Sequence, residues 1–255
     1  MTPTSTFDVS GLVAVVTGAS SGLGERFARV LHGGGAQVVV AARRRARLDG
    51  LVAELGEDSV LAVECDISRE QDAVALMEAA VARFGTIDVL VNNAGTSRPA
   101  PAEAETTADF EAVVDTNLVG LFTACREAGR VMLERERGSI VNIASILGLV
   151  GGGLIKQAGY AASKGAVVNL TRELAGQWAR RGVRVNAIAP GWFPSEMTAE
   201  LMADEGGRRF IRRGCPMGRP GREDELDGVL VLLASGASSY ITGQVISVDG
   251  GWTCV

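Results

Sequence analysis

Short apolar runs alternate with segments of helical spacing along almost the whole chain. The runs are rich in β-branched residues and end at Gly, Asn, Ser or Pro, which is typical of strands buried on both faces of a parallel sheet. The segments between them repeat apolar residues every three to four positions, which predicts amphipathic helices. The predicted strands are 12–17, 36–42, 59–64, 87–92, 138–144, 183–189 and 244–248. The predicted helices are 22–33, 44–55, 69–84, 107–135, 159–181 and 222–234.

This alternation predicts an α/β fold, a doubly wound parallel sheet of Rossmann type with helices on both faces. The 255 residues contain no repeat, long linker or second set of elements, so we expect a single domain over residues 1–255. The strand ends near Gly18, Asn92, Ser145 and Pro190 should gather at one edge of the sheet, where open α/β sheets bind ligands.

Residues 192–221 interrupt the alternation, because they combine large apolar side chains with three prolines. We expect this segment to form a small helical lid over the substrate. Its four arginines form either a solvated outer face or a clamp for an anionic substrate; they are Arg208, Arg209, Arg212 and Arg213.

Composition narrows the class of protein. A net charge of −5 gives no basic footprint for nucleic acid, and no apolar run approaches the ~20 residues of a membrane helix. Residues 1–11 carry no basic residue, so they lack a signal-peptide pattern. The single histidine, His32, leaves no basis for a His-based triad or most zinc sites, and we expect no metal. The cysteines form no C-x-x-C pair, which favours a reduced, cytoplasmic setting; they are Cys65, Cys125, Cys215 and Cys254.

A glycine-rich loop joins the first predicted strand to the first predicted helix. Glycines in this position allow a tight turn and a close approach of the backbone to a pyrophosphate, which the helix N-terminus also attracts. The spacing is G-x-x-x-G-x-G. It predicts a dinucleotide site formed by Gly18, Ser20, Ser21, Gly22, Leu23 and Gly24.

The end of the second predicted strand indicates which dinucleotide binds. An NAD site usually has an acid here for the ribose 2′-hydroxyl. Here Ala42 is followed by Arg43, Arg44 and Arg45, and no acid occurs before Asp49. Because arginine binds phosphate through two parallel hydrogen bonds, Arg43 and Arg44 favour the 2′-phosphate of NADP(H).

Tyr160 and Lys164 stand four positions apart in a chain that has only two residues of each type. On a helix such residues share one face. An ammonium fixed beside a phenol should lower the phenol pKa, which would allow proton transfer to a carbonyl oxygen near neutral pH.

Motifs in this order resemble the short-chain dehydrogenase/reductase family, specifically its single-domain members of about 250 residues. The similar segments are Thr17–Gly24, Cys65–Ile67, Asn92–Gly95, Asp115–Leu118, Ile140–Ser145, Tyr160–Lys164, Pro190–Thr198 and Asp249–Gly251. The resemblance implies a catalytic set of Asn117, Ser145, Tyr160 and Lys164. It also implies that the cofactor contacts the glycine loop and Asp66, Ile67, Asn93, Ala94, Gly95, Tyr160, Lys164, Pro190, Gly191 and Ser195.

Two departures from the family pattern bear on substrate and cofactor. Ser195 stands where threonine is common, although the hydroxyl is kept. Ser145 and Tyr160 are separated by about two more positions than is common, and the added residues lie within 149–157. We therefore expect a pocket that differs from those of relatives, with walls formed by Ser145, Leu154, Ile155, Trp192, Phe193, Met197 and Leu201.

The resulting hypothesis is an NADP(H)-dependent oxidoreductase that interconverts a ketone and a secondary alcohol, with Tyr160 as proton donor. Its substrate is a small carbonyl compound or alcohol. A reductase of 3-oxoacyl thioesters on a carrier protein, and a non-catalytic NADP(H)-binding regulator, remain as alternatives. A sugar epimerase or dehydratase on the same cofactor fold is a further rival, but those enzymes resemble longer chains with a C-terminal substrate domain.

The resemblance also implies how the protein assembles. By resemblance, helices 107–135 and 159–181 pair between subunits of a homotetramer, and residues 252–255 pack across a second axis.

Overall fold

One parallel sheet organises the computed structural model, which describes residues 6–255. Its strands within that range are β1 (Val13–Thr17), β2 (Gln37–Ala42), β3 (Val60–Glu64), β4 (Val89–Asn92), β5 (Gly138–Ile143), β6 (Val183–Pro190) and β7 (Val245–Val248). Their order across the sheet is β3-β2-β1-β4-β5-β6-β7, and every neighbouring pair is parallel. The predicted doubly wound α/β fold of Rossmann type is confirmed. Residues 1–5, which belong to the predicted domain and to the segment without a signal pattern, lie outside the described residues.

Helices cover both faces of the sheet. They are α1 (Gly22–Gly33), α2 (Arg45–Leu55), α3 (Glu70–Phe84), α4 (Thr107–Val114), α5 (Leu121–Glu134), α6 (Ala158–Trp178), α7 (Ala199–Ala203), α8 (Glu205–Gly214) and α9 (Asp227–Ala234). One core lies between the sheet and α3, α5 and α6, and the other lies between the sheet and α1, α2 and α9. Burial of the strands on both sides explains why their sequences are almost uniformly apolar.

The predicted helix 107–135 is interrupted by a π-helical segment, Asp115–Gly120. Gly120 lets this segment pack closely against the loop before α3, since a Cβ at this position would lie 2.2 Å from the carbonyl oxygen of Ile67. The wider turn also buries the side chain of Asn117 completely. Single-turn π segments inside α-helices are frequent at functional sites.

The strand order reverses between β1 and β4, which is where open α/β sheets form a crevice at the carboxyl ends of their strands. The glycine loop follows β1, the segment 93–98 follows β4, and Ser145 lies just beyond β5. Short connections therefore deliver the motif residues to one edge of the sheet.

Residues 192–221 contain the short helices α7 and α8. Trp192, Phe210 and Trp252 pack edge to face, with ring centroids 5.2 to 6.0 Å apart, and so connect this segment to the C-terminal residues. Its function as a substrate lid stays a prediction.

Two surface features concern assembly and setting. Phe110, Val119 and Phe122 are exposed along α4, the π segment and α5, on the helices that the resemblance pairs between subunits. The homotetramer and the cytoplasmic setting stay predictions. None of the helices within residues 6–255 combines the length and the apolar character needed to cross a bilayer.

Candidate active site

A cleft of about 660 Å³ opens at the carboxyl edge of the sheet. Most of the residues predicted to bind cofactor line it: Gly18, Ser20, Ser21, Gly22, Leu23, Arg43, Arg44, Asp66, Ile67, Asn93, Ala94, Gly95, Tyr160, Lys164, Pro190, Gly191 and Ser195. Gly24 lies behind the lining, where a Cβ would approach the carbonyl oxygen of Gly18 to 2.3 Å. One continuous surface thus joins the glycine loop to the Tyr–Lys pair.

The glycine loop is held from behind by the segment that follows β4. Asn93 Nδ2 donates to the carbonyl oxygens of Thr17 and Gly18 at 3.1 and 3.2 Å. Thr17 Oγ1 accepts from the backbone N–H groups of Asn93 and Ala94, both at 3.1 Å. Gly18 has φ = +67°, and a Cβ there would lie 2.8 Å from Ala94 Cα, so this position requires glycine.

The start of α1 suits a phosphate group. Its N-cap residue, Ser21, makes no side-chain capping bond, so the first-turn N–H groups keep no side-chain partner from the cap. Ser21 instead hydrogen-bonds Arg44 and Glu196. Backbone N–H groups and the helix dipole together favour an anion at this position.

The end of β2 presents two arginines with different surroundings. Arg43 is exposed and, in residues 6–255, forms no ion pair. Its charge acts on Asp66, where burial opposes ionisation but hydrogen bonds from Ser68 and the charges of Arg43 and Arg69 leave the carboxyl pKa below its usual value. Arg44 donates to Ser20 Oγ at 3.1 Å and to Ser21 Oγ at 2.6 Å. The cleft therefore offers one unpaired guanidinium just after the end of β2.

The predicted catalytic residues come together beside β5 and α6. Ser145, Tyr160 and Lys164 line the cleft, while Asn117 is fully buried behind it. Lys164 is 3% exposed, and its Nζ donates to the carbonyl oxygen of Ile143 at 2.7 Å. The same Nζ lies 5.7 Å from the centre of the Tyr160 ring.

Asn117 orders the neighbouring backbone. Its Oδ1 accepts from the N–H of Thr96 at 2.8 Å, and its Nδ2 donates to the Thr96 carbonyl at 2.9 Å and to Ser163 Oγ at 3.1 Å. Ser163 in turn donates to the carbonyl oxygen of Tyr160 at 2.8 Å. The π segment, the loop after β4 and α6 are thereby joined through one buried amide.

Burial governs the ionisation of the pair. It raises the pKa of Tyr160, and a hydrogen bond from Ser145 offsets part of this effect. Burial also lowers the pKa of Lys164 from 10.5 to about 8. The direction for Tyr160 is opposite to the one that we expected from the sequence, because phenol and amine share one desolvated site that disfavours both charged forms. The phenol is therefore a protonated hydrogen-bond donor near neutral pH.

Glu105 is a site neighbour that sequence reasoning missed. Its two carboxylate oxygens each accept from the N–H of Gly159, at 3.2 Å, in the first turn of α6. A Cβ on Gly159 would lie 2.7 Å from this carboxylate. No local pattern could have paired a loop residue with a helix that begins more than 50 positions later.

The predicted pocket walls divide into two groups. Ser145, Phe193 and Met197 line the cleft. Ile155, Trp192 and Leu201 belong with Tyr160 to a neighbouring apolar cluster, and Leu154 is 78% exposed. Other lining residues were not predicted as site residues, namely Thr96, Arg98, Asp115 and Glu196. In the described part of the chain, no three His, Cys, Asp or Glu side chains are grouped so that they could hold a metal ion.

Comparison with known proteins defines the class. A family model described as enoyl-(acyl carrier protein) reductase matches residues 18–253. Gluconate 5-dehydrogenase of Gluconobacter oxydans (strain 621H) is 41% identical over 97% of this chain and 96% of its own length. Cis-4-hydroxycyclohexanecarboxylate dehydrogenase of Sinomonas cyclohexanicum is 40% identical over 95% of this chain and 97% of its own length.

A solved structure agrees with these relatives. The gluconate 5-dehydrogenase from Burkholderia cenocepacia J2315, in complex with NADP and tartrate, superposes with a TM-score of 0.94 at 35% identity and 98% coverage of both chains. The chain belongs to the short-chain dehydrogenase/reductase family, as its motifs predicted. It is an oxidoreductase of the kind that acts on alcohols and ketones.

The buried amine gives a test of the site's electrostatics. Because the folded pKa of Lys164 is about 8 and the unfolded value about 10.5, the folded protein binds fewer protons between these pH values. The burial penalty is complete below pH 8 and disappears as the pH rises to 10.5, a change of about 3 kcal/mol. We expect the free energy of unfolding of wild type to rise by this amount relative to Lys164→Met over that range, measured by denaturant titration.

Lys156→Met is the matched control, since Lys156 is the other lysine and is exposed. Its difference from wild type should not change with pH. A wild-type minus Lys164→Met difference that is constant from pH 7 to 10.5 contradicts the buried-amine account.

Proposed function

We propose that this protein is an NADP(H)-dependent oxidoreductase that interconverts a ketone and a secondary alcohol, with Tyr160 as the proton donor and acceptor. One observation carries the proposal. A half-buried, protonated phenol and a buried amine lie beside Ser145 in the same cleft as a preformed dinucleotide cradle.

Each side chain has a physical task in this reaction. The phenol of Tyr160, kept neutral by burial, donates its proton to the oxygen of the ketone as negative charge develops there. Ser145 donates a hydrogen bond that holds the same oxygen in place. Lys164 is held by the backbone carbonyl of Ile143 beside the Tyr160 ring, and it supplies positive charge to the site when it is protonated. Asn117 keeps the loop at Thr96 and helix α6 in register.

NADP(H) is the cofactor that the cleft fits. Gly18, the uncapped start of α1 and the exposed Arg43 would hold its pyrophosphate and 2′-phosphate. Bound NADPH supplies a hydride to the carbonyl carbon, and NADP⁺ accepts one in the reverse direction. The Burkholderia cenocepacia relative with NADP bound supports this assignment.

For the substrate, we propose a secondary alcohol, or its ketone, on a carbon frame that also bears a carboxylate. Arg98 lines the cleft, is about half exposed and is held by an ion pair with Asp109. Arg98 lies three residues after Gly95, and a Cβ added to Gly95 would lie 3.6 Å from Lys164 Nζ. Gluconate and 4-hydroxycyclohexanecarboxylate, from which the two relatives take their names, both combine a secondary alcohol with a carboxylate.

The carrier-bound thioester has weaker support. The matching family model is described by such a substrate. The arginines that would attract an acidic carrier lie in α8, however, which contributes no residue to the lining of the cleft. A non-catalytic regulator would need the dinucleotide cradle but not a proton donor.

The proton donor is tested by Tyr160→Phe, which removes only the hydroxyl. Dinucleotide binding should persist, and turnover should fall by ~10²–10⁴-fold, the usual contribution of general acid–base catalysis. The measurement is NADPH formation from NADP⁺ and gluconate at saturating concentrations. Tyr240→Phe is the control, since Tyr240 is the other tyrosine and is fully exposed. Equal turnover of the two variants would contradict a proton-donor role for Tyr160, and an absence of turnover in both variants and in wild type would favour the regulator.

The substrate class is tested by comparing gluconate with glucitol, the six-carbon polyol that has a CH₂OH group in place of the carboxylate. Arg98→Ala should lower kcat/KM for gluconate by about 10- to 100-fold, as expected for a lost hydrogen bond to a charged group. The value for glucitol should stay nearly constant. Arg209→Ala, in α8 and outside the cleft lining, should change neither value. An equal loss on both substrates would exclude carboxylate recognition by Arg98.

A further inference from the structure

A carboxylate of the predicted lid contacts two of the predicted cofactor-binding residues, Ser21 and Arg44. Glu196 follows Ser195 in the segment after β6, yet its Oε1 accepts from Arg44 Nη1 at 3.0 Å. Its Oε2 accepts from Ser21 Oγ at 3.2 Å. Because Ser21 Oγ also accepts from Arg44 Nη2, at 2.6 Å, the three side chains form a closed ring of hydrogen bonds.

This ring joins three separate parts of the chain. Ser21 belongs to the glycine loop, Arg44 to the end of β2, and Glu196 to the predicted lid, and all three line the cleft. Arg44 also donates its Nε–H to Ser20 Oγ at 3.1 Å. Three of the five N–H donors of the Arg44 guanidinium therefore bind the glycine loop and the carboxylate.

The ring lowers the net positive charge that is available to bind a phosphate. Arg43 and Arg44 stand next to each other, but only Arg43 lacks an acidic partner among the described residues. The hydrogen bond and charge of Arg44 hold the pKa of Glu196 below its usual value, so the carboxylate is ionised at neutral pH. One of the two positive charges is already offset.

We propose that Glu196 is a cofactor-discriminating residue, which competes with the 2′-phosphate of NADP(H) for the guanidinium of Arg44. The proposal rests on the NADP(H) assignment made above. A dinucleotide with the 2′-phosphate must share Arg44 with the carboxylate or displace it. A dinucleotide with a 2′-hydroxyl brings no charge that could do so and leaves the ring intact. Glu196 thus limits the preference for NADPH over NADH that two neighbouring arginines would otherwise give.

The expected size is modest, since the pair is exposed, with 43% and 58% of the two side chains accessible. Exposed ion pairs of this kind correspond to roughly two- to fivefold in a binding constant. Glu196→Gln should therefore lower the Kd for NADPH by two- to fivefold and leave the Kd for NADH unchanged. The measurement is isothermal titration calorimetry of the full chain with each dinucleotide, so it does not depend on turnover.

Two further variants separate competition from other effects. Glu200→Gln removes an exposed acid four positions along and should change neither Kd. In an Arg44→Gln background, Glu196→Gln should no longer affect NADPH binding. Persistence of its effect there would mean that general repulsion, not competition for Arg44, is responsible, and would overturn the proposal.

The remaining outcomes are also decisive. An unchanged Kd for NADPH in Glu196→Gln overturns the proposal, as does a parallel loss of affinity for both dinucleotides, which would mean that the carboxylate only fixes the lid. If wild type binds NADH as tightly as NADPH, the cofactor assignment fails. In that case, the role of Glu196 is still decided by whether Glu196→Gln changes the Kd for NADPH alone.

Discussion

The burial of the Lys164 amine determines much of the geometry and ionisation of the site. Lys164 can lose nearly all contact with water only because its Nζ reaches the carbonyl oxygen of Ile143 at the end of β5. That bond requires α6 to cross the carboxyl edge of the sheet at one position, and it places Tyr160 one turn earlier on the same face. The desolvation that makes the amine easier to deprotonate also keeps the phenol protonated.

The surrounding structure supports this burial from several directions. The π segment turns Asn117 inward, where its amide fixes Thr96 and Ser163. Glu105 binds the first turn of α6 through Gly159. The loop after β4 therefore contacts the glycine loop on one side and α6 on the other, which explains how the dinucleotide cradle and the Tyr–Lys pair share one cleft.

The sequence predicted the fold and most of the cleft, because strands buried on both faces and a strand–glycine loop–helix unit leave local patterns. The bounds of α1 agree with the predicted 22–33. The contacts of Arg98, Glu105 and Glu196 could not be predicted, since each depends on a partner that only the tertiary fold brings near. The π segment was missed for a similar reason, as the helical spacing continues through it.

The ionisation of Tyr160 shows a different limit of sequence reasoning. Spacing on a helix correctly indicated that an amine lies near the phenol, but the sign of the pKa shift depends on how much water both groups lose. A pattern of residues does not contain that quantity, and it emerges only from the packing of α6 against β6 and the apolar cluster around Trp192 and Ile211.

The most direct test of this account is the ultraviolet titration of the Tyr160 phenolate. Near 295 nm, the difference between wild type and Tyr160→Phe isolates this one phenol in a chain with two tyrosines. The account requires its phenolate to form only above the ordinary tyrosine value of about 10, because burial raises the pKa. A phenolate signal already present near neutral pH, absent from Tyr160→Phe, would contradict it.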